Sequence, residues 1–170
     1  MTTDPMADAT PRANIYFAGP LFTHAECRWN REIALALETL GYVVSLPQRL
    51  VADLVTLGAP LPTEEIFDRL VRQIREVDVV VAVLDGPDPD SGTAFECGLA
   101  YAWGTPVIGV RTDLRRGGDH AARDVNLMLA HGCAAIVKVG PDDDPSAVTG
   151  LAERLSVAMD HLPRASGDEG

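Results

Sequence analysis

The run Asp78-Val79-Val80-Val81-Ala82-Val83-Leu84 narrows the possible folds more than any other stretch of this chain. It is apolar on consecutive positions rather than alternate ones, so as a strand it must be covered on both faces. Strands of that kind sit near the middle of parallel sheets. A turn-rich segment follows, Asp85-Gly86-Pro87-Asp88-Pro89-Asp90, and then Ser91-Gly92-Thr93 opens a helical stretch that reaches Trp103 before Gly104-Thr105-Pro106 breaks it. Strand, punctuated loop and helix in that order are how an α/β sheet carries side chains to the carboxyl ends of its strands.

The rest of the chain repeats this alternation. Ile15 to Ala18 and Tyr42 to Leu46 read as the first two strands, Val77 to Leu84 as the third, Val107 to Val110 as the fourth and Ala134 to Val139 as the fifth. Helical periodicity runs from Thr23 to Leu40 through Ile33, Leu37 and Leu40, and Gly41 stops it. Thr63 opens another helix with Glu64 and Glu65 in its first turn. Val125 to Ala130 suits a short helix and Ser146 to Leu162 a closing one. Gln48 to Pro62 reads as a short helix and a loop over the site, and Arg111 to Asp124 as a mobile charged loop.

Strands alternating with helices imply a parallel, right-handed, three-layer α/β sandwich. Five strands suggest the flavodoxin-like order 2-1-3-4-5, whose switch point lies between strands one and three. The loop Gly19 to Phe22 then faces the loop Asp85 to Glu96 across one crevice. Residues 1–12 are polar and aperiodic and are expected to be a disordered leader. The folded domain is expected over 13–162, with a flexible acidic tail over 163–170.

What reaches that crevice is acid. Glu96 lies in the first turns of its helix, where the dipole favours an ionised carboxylate, and Asp90 stands in the loop six residues earlier. A carboxylate nucleophile with a second carboxyl to carry the proton is the equipment of retaining chemistry at a glycosidic carbon. Read without context, Glu96 is an ordinary charge at a helix start, and Asp85 and Asp88 are turn residues beside proline.

The segment from Asp90 to Gly98 resembles the signature of the nucleoside 2-deoxyribosyltransferase family, an Asp-x-Gly-x-x-x-Glu-x-Gly pattern. Ile15-Tyr16-Phe17-Ala18-Gly19-Pro20-Leu21-Phe22 resembles the family's first strand and pocket loop. Asn126-Leu127-Met128-Leu129 resembles its late Asn-Leu-Met element. The three occur in the family's order and together cover most of residues 14–138.

The resemblance implies roles. Glu96 would be the nucleophile that forms a deoxyribosyl ester, Asp90 the proton carrier, and Tyr16 the hydroxyl touching the nucleophile. Gly19, Pro20, Phe22 and Gly92 would border the substrate. Asn126 would reach the sugar in a neighbouring subunit's site, so the working unit would be a homo-oligomer, a dimer or larger. The partners implied are a nucleoside and a free nucleobase, with no cofactor. One departure stands out: many relatives carry Asp or Asn where this chain has Leu70. Ile66, Leu70, Ile74 and Val77 form an inward stripe at helical spacing, and Asp68 lies on the far face.

Composition excludes other classes. At 170 residues the chain makes one domain. A net charge of −11, with Lys138 as the lone lysine, argues against a nucleic-acid surface. No apolar run approaches the ~18 residues of a membrane span, and the start does not read as a signal peptide, so a cytoplasmic location is the default expectation. Cys27, Cys97 and Cys133 lack zinc spacing, and His24, His120, His131 and His161 show no ligand pairing, so no metal is expected. Cys97 reads as a small buried thiol, pointing about 100° away from Glu96 on the helix.

Three other readings remain open at this level. A hydrolase of nucleosides or their 5'-monophosphates differs only in letting water reach the intermediate. A non-catalytic nucleoside sensor would keep the pocket without needing both acids. A phosphoacceptor receiver domain is disfavoured by the missing acidic cluster and strand-end lysine.

Overall fold

The side chains of the central strands divide by parity between two cores. Ile15, Phe17, Val79, Val81 and Val83 join Ile108, Val110 and Val137 in one apolar cluster; Tyr16, Ala18, Val80, Ala82 and Leu84 belong to the other. The computed structural model describes residues 10–56, 63–118, 124–140, 143 and 148–163. Its strands are β1 (Asn14–Ala18), β2 (Val43–Ser45), β3 (Val79–Val83), β4 (Val107–Arg111) and β5 (Ala135–Lys138). They form one parallel sheet in the order β2-β1-β3-β4-β5, so the expected topology holds.

The helices are α1 (His24–Thr39), α2 (Pro47–Thr56), α3 (Thr63–Glu76), α4 (Ser91–Ala102), α5 (Leu127–Gly132) and α6 (Val148–Asp160). Helices α1 and α6 cover the odd-numbered face of β1 and β3 with Ile33, Leu37, Leu151 and Leu155. Helices α3, α4 and α5 cover the other with Leu70, Ile74, Cys97, Ala100 and Leu129. Every residue of β3 is buried, as its unbroken apolar run requires. Burying one such side chain is worth about 1.5–3 kcal/mol, and this two-sided core is what holds the strand ends in place.

Several boundaries move. β3 starts at Val79 rather than Val77, because Asp78 turns out to accept hydrogen bonds from the Asn14 main chain and side chain at 2.7 and 3.1 Å. α5 begins two residues later than expected, after Asn126 caps it. Arg12, assigned to the leader by sequence, is part of the fold. Its guanidinium pairs with Asp160 at 2.9 Å and stacks over Tyr42, and its amide bonds to Gly41. Arg111 was expected to open a charged loop and instead ends β4 at 2% exposure. Residues 1–9 of the expected leader, the 57–62 part of the covering loop, residues 119–123 and most of the expected tail lie outside the described residues.

Candidate active site

In a parallel sheet with this order the loops after β1 and β3 leave side by side. A Cβ placed on Gly19 would lie 3.3 Å from the Val83 side chain at the end of β3 and 3.3 Å from Asn30 Oδ1, so glycine lets the β1 loop leave close against β3 and α1. The β1 loop is held from α1. Asn30 Nδ2 donates to the Pro20 carbonyl at 2.8 Å, Cys27 Sγ to the Leu21 carbonyl at 3.2 Å, and Glu26 accepts from the amides of Phe22 and Thr23. The last bonds complete a capping box with Thr23. Phe22 is presented outward on this fixed backbone, 76% exposed.

Across the crevice, Asp90 is the N-cap of α4. Its Oδ2 accepts from the Thr93 amide at 2.8 Å and the Thr93 hydroxyl at 3.1 Å. The Asp90 carboxylate accepts no other hydrogen bond from the described residues, while its main-chain carbonyl accepts from the Ala94 amide at 2.9 Å. A side chain at Gly92 would begin 3.1 Å from that oxygen, so Gly92 keeps the cap uncrowded.

Glu96 follows on the flank of α4 that faces β1. Tyr16 is an even-numbered residue of β1 and so points to the α4 side, fully buried, where its hydroxyl donates to Glu96 Oε1 at 2.5 Å. Burial pushes the Glu96 carboxyl up to about 7; the Tyr16 bond opposes that rise and the charge of Asp90 adds to it. Burial, then the charge of Glu96, drives the Tyr16 phenol above its ordinary value, so it stays a donor. Cys97 is 5% exposed, and burial pushes its thiol up to about 12, which leaves no thiolate beside the carboxylates. Asp85, read from sequence as turn chemistry, accepts from the Thr112 and Asp113 amides at 2.6 and 2.9 Å.

Not every expected residue meets in this crevice. Asn126 caps α5, its Oδ1 accepting from the Met128 amide at 2.9 Å. Beside it, on the flank of α4 away from Glu96, is an apolar cavity of about 520 Å³ lined by Ala94, Gly98, Tyr101, Leu127, Met128 and Leu129. Leu70 packs into the α3–α4 core, and Asp68 is exposed on the outer face of α3.

Sequence reasoning missed Asn30 and Arg111. Asn30 did carry a signal, being a polar residue in line with Ile33 and Leu37 on the buried face of α1. Arg111 carried none beyond its place directly after an apolar strand.

The sequence matches the family model described as nucleoside 2-deoxyribosyltransferase over residues 15–128, which is well over half of the chain. The chain belongs to the nucleoside 2-deoxyribosyltransferase family. Tyr16, Gly19, Asp90, Glu96 and Asn126 all lie within the matched span. A relative from Thermofilum pendens, a putative 2'-deoxynucleoside 5'-phosphate N-hydrolase, is 32% identical over 95 residues. That match spans 55% of this chain and 64% of the relative's own length.

Among solved structures, a conserved protein from Enterococcus faecalis is similar at 26% identity and a TM-score of 0.63, covering 85% of this chain and 97% of its own. A 2-deoxyribosyltransferase from Bacillus psychrosaccharolyticus shares the fold at 23% identity and a TM-score of 0.59, with 75% and 87% covered. Members of this family act on the N-glycosidic bonds of nucleosides, by transfer or by hydrolysis.

Proposed function

We propose that this protein is a nucleoside 2-deoxyribosyltransferase that exchanges the nucleobase of 2'-deoxynucleosides through a covalent deoxyribosyl ester on Glu96. The observation that carries the reading is the half-buried Glu96 carboxyl, bonded to Tyr16 and close enough to Asp90 to feel its charge. In its ionised form Glu96 attacks the anomeric carbon, and the C–N bond breaks as Asp90 in its acid form protonates the departing base. A second base then attacks the same carbon from the opposite face, gives its proton to Asp90, and releases Glu96. Tyr16 steadies the carboxylate between turns. Gly19, Pro20 and Phe22 border the incoming base, and Gly92 keeps Asp90 accessible.

Incubating the protein with 2'-deoxyinosine and free adenine, followed by chromatography, tests this. Deoxyadenosine is the expected product, hypoxanthine with no new nucleoside would mean hydrolysis, and an unchanged mixture would sink both. Glu96→Ala should lose transfer by several powers of ten, on the order of ~10³ or more, while remaining folded. Near-normal turnover in that variant would remove Glu96 from the role.

A second reading, hydrolysis of 2'-deoxynucleoside 5'-monophosphates, is favoured by the relative from Thermofilum pendens. Against it stands the first loop, Gly19-Pro20-Leu21-Phe22, which offers a phosphate neither serine nor arginine. Arg28, the nearest cation in sequence, is exposed and paired with Glu32 at 2.7 Å. Running 2'-deoxyinosine and its 5'-monophosphate in parallel separates the two.

The active unit on this reading is a homo-oligomer with shared sites. The apolar cavity between α4 and α5, flanked by exposed Tyr101 and Met128, supports a second copy there, which would carry Asn126 toward its neighbour's crevice. No described helix is long and apolar enough to cross a membrane, and a cytoplasmic location fits a nucleoside substrate.

A further inference from the structure

Arg111 has the largest fully buried side chain among the described residues, at 2% exposure, and its nearest carboxylate among them is Asp113 at 3.9 Å. Burying a guanidinium is expensive unless its donors are met, so what it bonds to is informative. It bonds to loops. From the end of β4, on the α4 side of the sheet, Nη1 donates to the carbonyls of Leu84 and Gly86, at 2.7 Å for the latter. Nη2 donates to the carbonyl of Arg115 at 3.1 Å, and Nε has no partner among the described residues.

The same two loops are tied in the reverse direction. Asp85 accepts from the Thr112 amide at 2.6 Å, the Thr112 hydroxyl at 2.5 Å and the Asp113 amide at 2.9 Å. Asp113 accepts from the Gly86 amide at 3.1 Å, and its bonds from Arg115 hold its carboxyl well below the usual carboxylate range. Gly86 adopts φ +100°, and an added Cβ would meet the Asp88 carbonyl at 2.9 Å, so this turn has one backbone path.

The post-β4 loop then runs on between Pro87 of the Asp85–Asp90 loop and the segment leading into Asn126. A Cβ on Gly117 would lie 2.9 Å from the Pro87 carbonyl and 3.5 Å from that of Asp124. One on Gly118, at φ +85°, would lie 2.6 Å from the Val125 carbonyl and 3.2 Å from the Asn126 amide.

We propose that Arg111 is a positioning residue for the reaction. It clasps the Asp85–Asp90 loop to the post-β4 loop and so fixes Asp90 and the start of α4 relative to Asn126. The proposal rests on the reading of Asp90 and Glu96 as the reacting pair. Arg111 touches neither, and it acts through main-chain carbonyls that only a planar fork reaches together. A lysine keeps the charge but reaches fewer of them.

The test uses the full chain carrying Arg111→Lys or Thr112→Val. Kinetics are read on whichever substrate the unsubstituted protein turns over, and amide hydrogen exchange is read at residues 85–90. Arg111→Lys should lower kcat roughly ten- to a hundredfold with KM nearly unchanged, the scale of a misplaced reacting group. Exchange over 85–90 should quicken while Val79 to Val83 stay protected. Thr112→Val, of the same shape, removes one bond to Asp85 and should move both readouts the same way by a smaller factor; it decides the matter if Arg111→Lys does not fold.

Faster loop exchange with unchanged kcat would overturn the proposal, because the loop would not need holding. Reduced kcat with unchanged exchange would overturn it too, because the clasp would not be the cause. An unsubstituted protein inactive on every nucleoside and nucleotide would sink the underlying reading instead, and the positioning role with it.

Discussion

Glu96 pays for its placement in protonation. A carboxyl raised from 4.5 to about 7 is neutral for much of the range in which free carboxyls are charged. Because the folded value lies above the unfolded one, the fold loses stability as pH rises from about 4.5 to about 7. The loss totals about 3 kcal/mol and is constant above that window. The reaction needs Glu96 ionised and a proton on Asp90, so the pair reacts with a single proton between them, and kcat/KM should fall about tenfold per pH unit above a limb near 7, where Glu96 gives up that proton. Tyr16→Phe removes the bond that favours the anion and should raise that limb. A limb that stays put in this variant would detach the profile from Glu96.

Helix α4 gives Asp90 two tasks, and they can be separated. As N-cap it needs only a short side-chain acceptor, which asparagine supplies; as proton carrier it needs an ionisable group. Asp90→Asn should therefore keep thermal stability nearly unchanged. It should slow ordinary bases far more than a substrate with a good leaving group, which needs little protonation. Asp90→Ala should add a stability loss of about 1 kcal/mol from the lost cap. Equal slowing of good and poor leaving groups in the asparagine variant would count against proton transfer. Helix α3 shows a different compromise. Leu70 completes the apolar stripe with Ile74 against the sheet, so the position where the family resemblance implies Asp or Asn serves the core in this chain.

At the scale of the whole molecule, Glu96 and Asn126 belong to different helices, α4 and the cap of α5, with the apolar cavity between those helices on the flank of α4 away from Glu96. If Asn126 serves a neighbouring subunit, mixing Glu96→Ala with Asn126→Ala protein should restore part of the lost activity. Each mixed pair then contains one site with both residues intact. Confirmed subunit exchange without recovery would place Asn126 outside any shared site.

Much of this architecture was legible in the residues because it depends on local pattern. The unbroken apolar run of β3, the Gly104-Thr105-Pro106 stop after α4 and the alternation of strands and helices are sufficient for the sheet order and for the crevice between β1 and β3. The Asp90–Glu96 spacing marked the candidate pair for the same reason, since both residues lie in one short segment. What the chain alone did not determine are contacts between segments far apart in sequence. Strand parity turns Tyr16 toward a carboxylate 80 residues away. Burial, which exists only once α3 and α4 cover the sheet, lifts Glu96 to about 7. Arg111 reads as the start of a charged loop until its guanidinium finds the carbonyls of Leu84 and Gly86, 27 and 25 residues back along the chain. Local pattern chooses the elements, and only their packing decides the protonation and hydrogen-bond partners of the polar groups trapped between them.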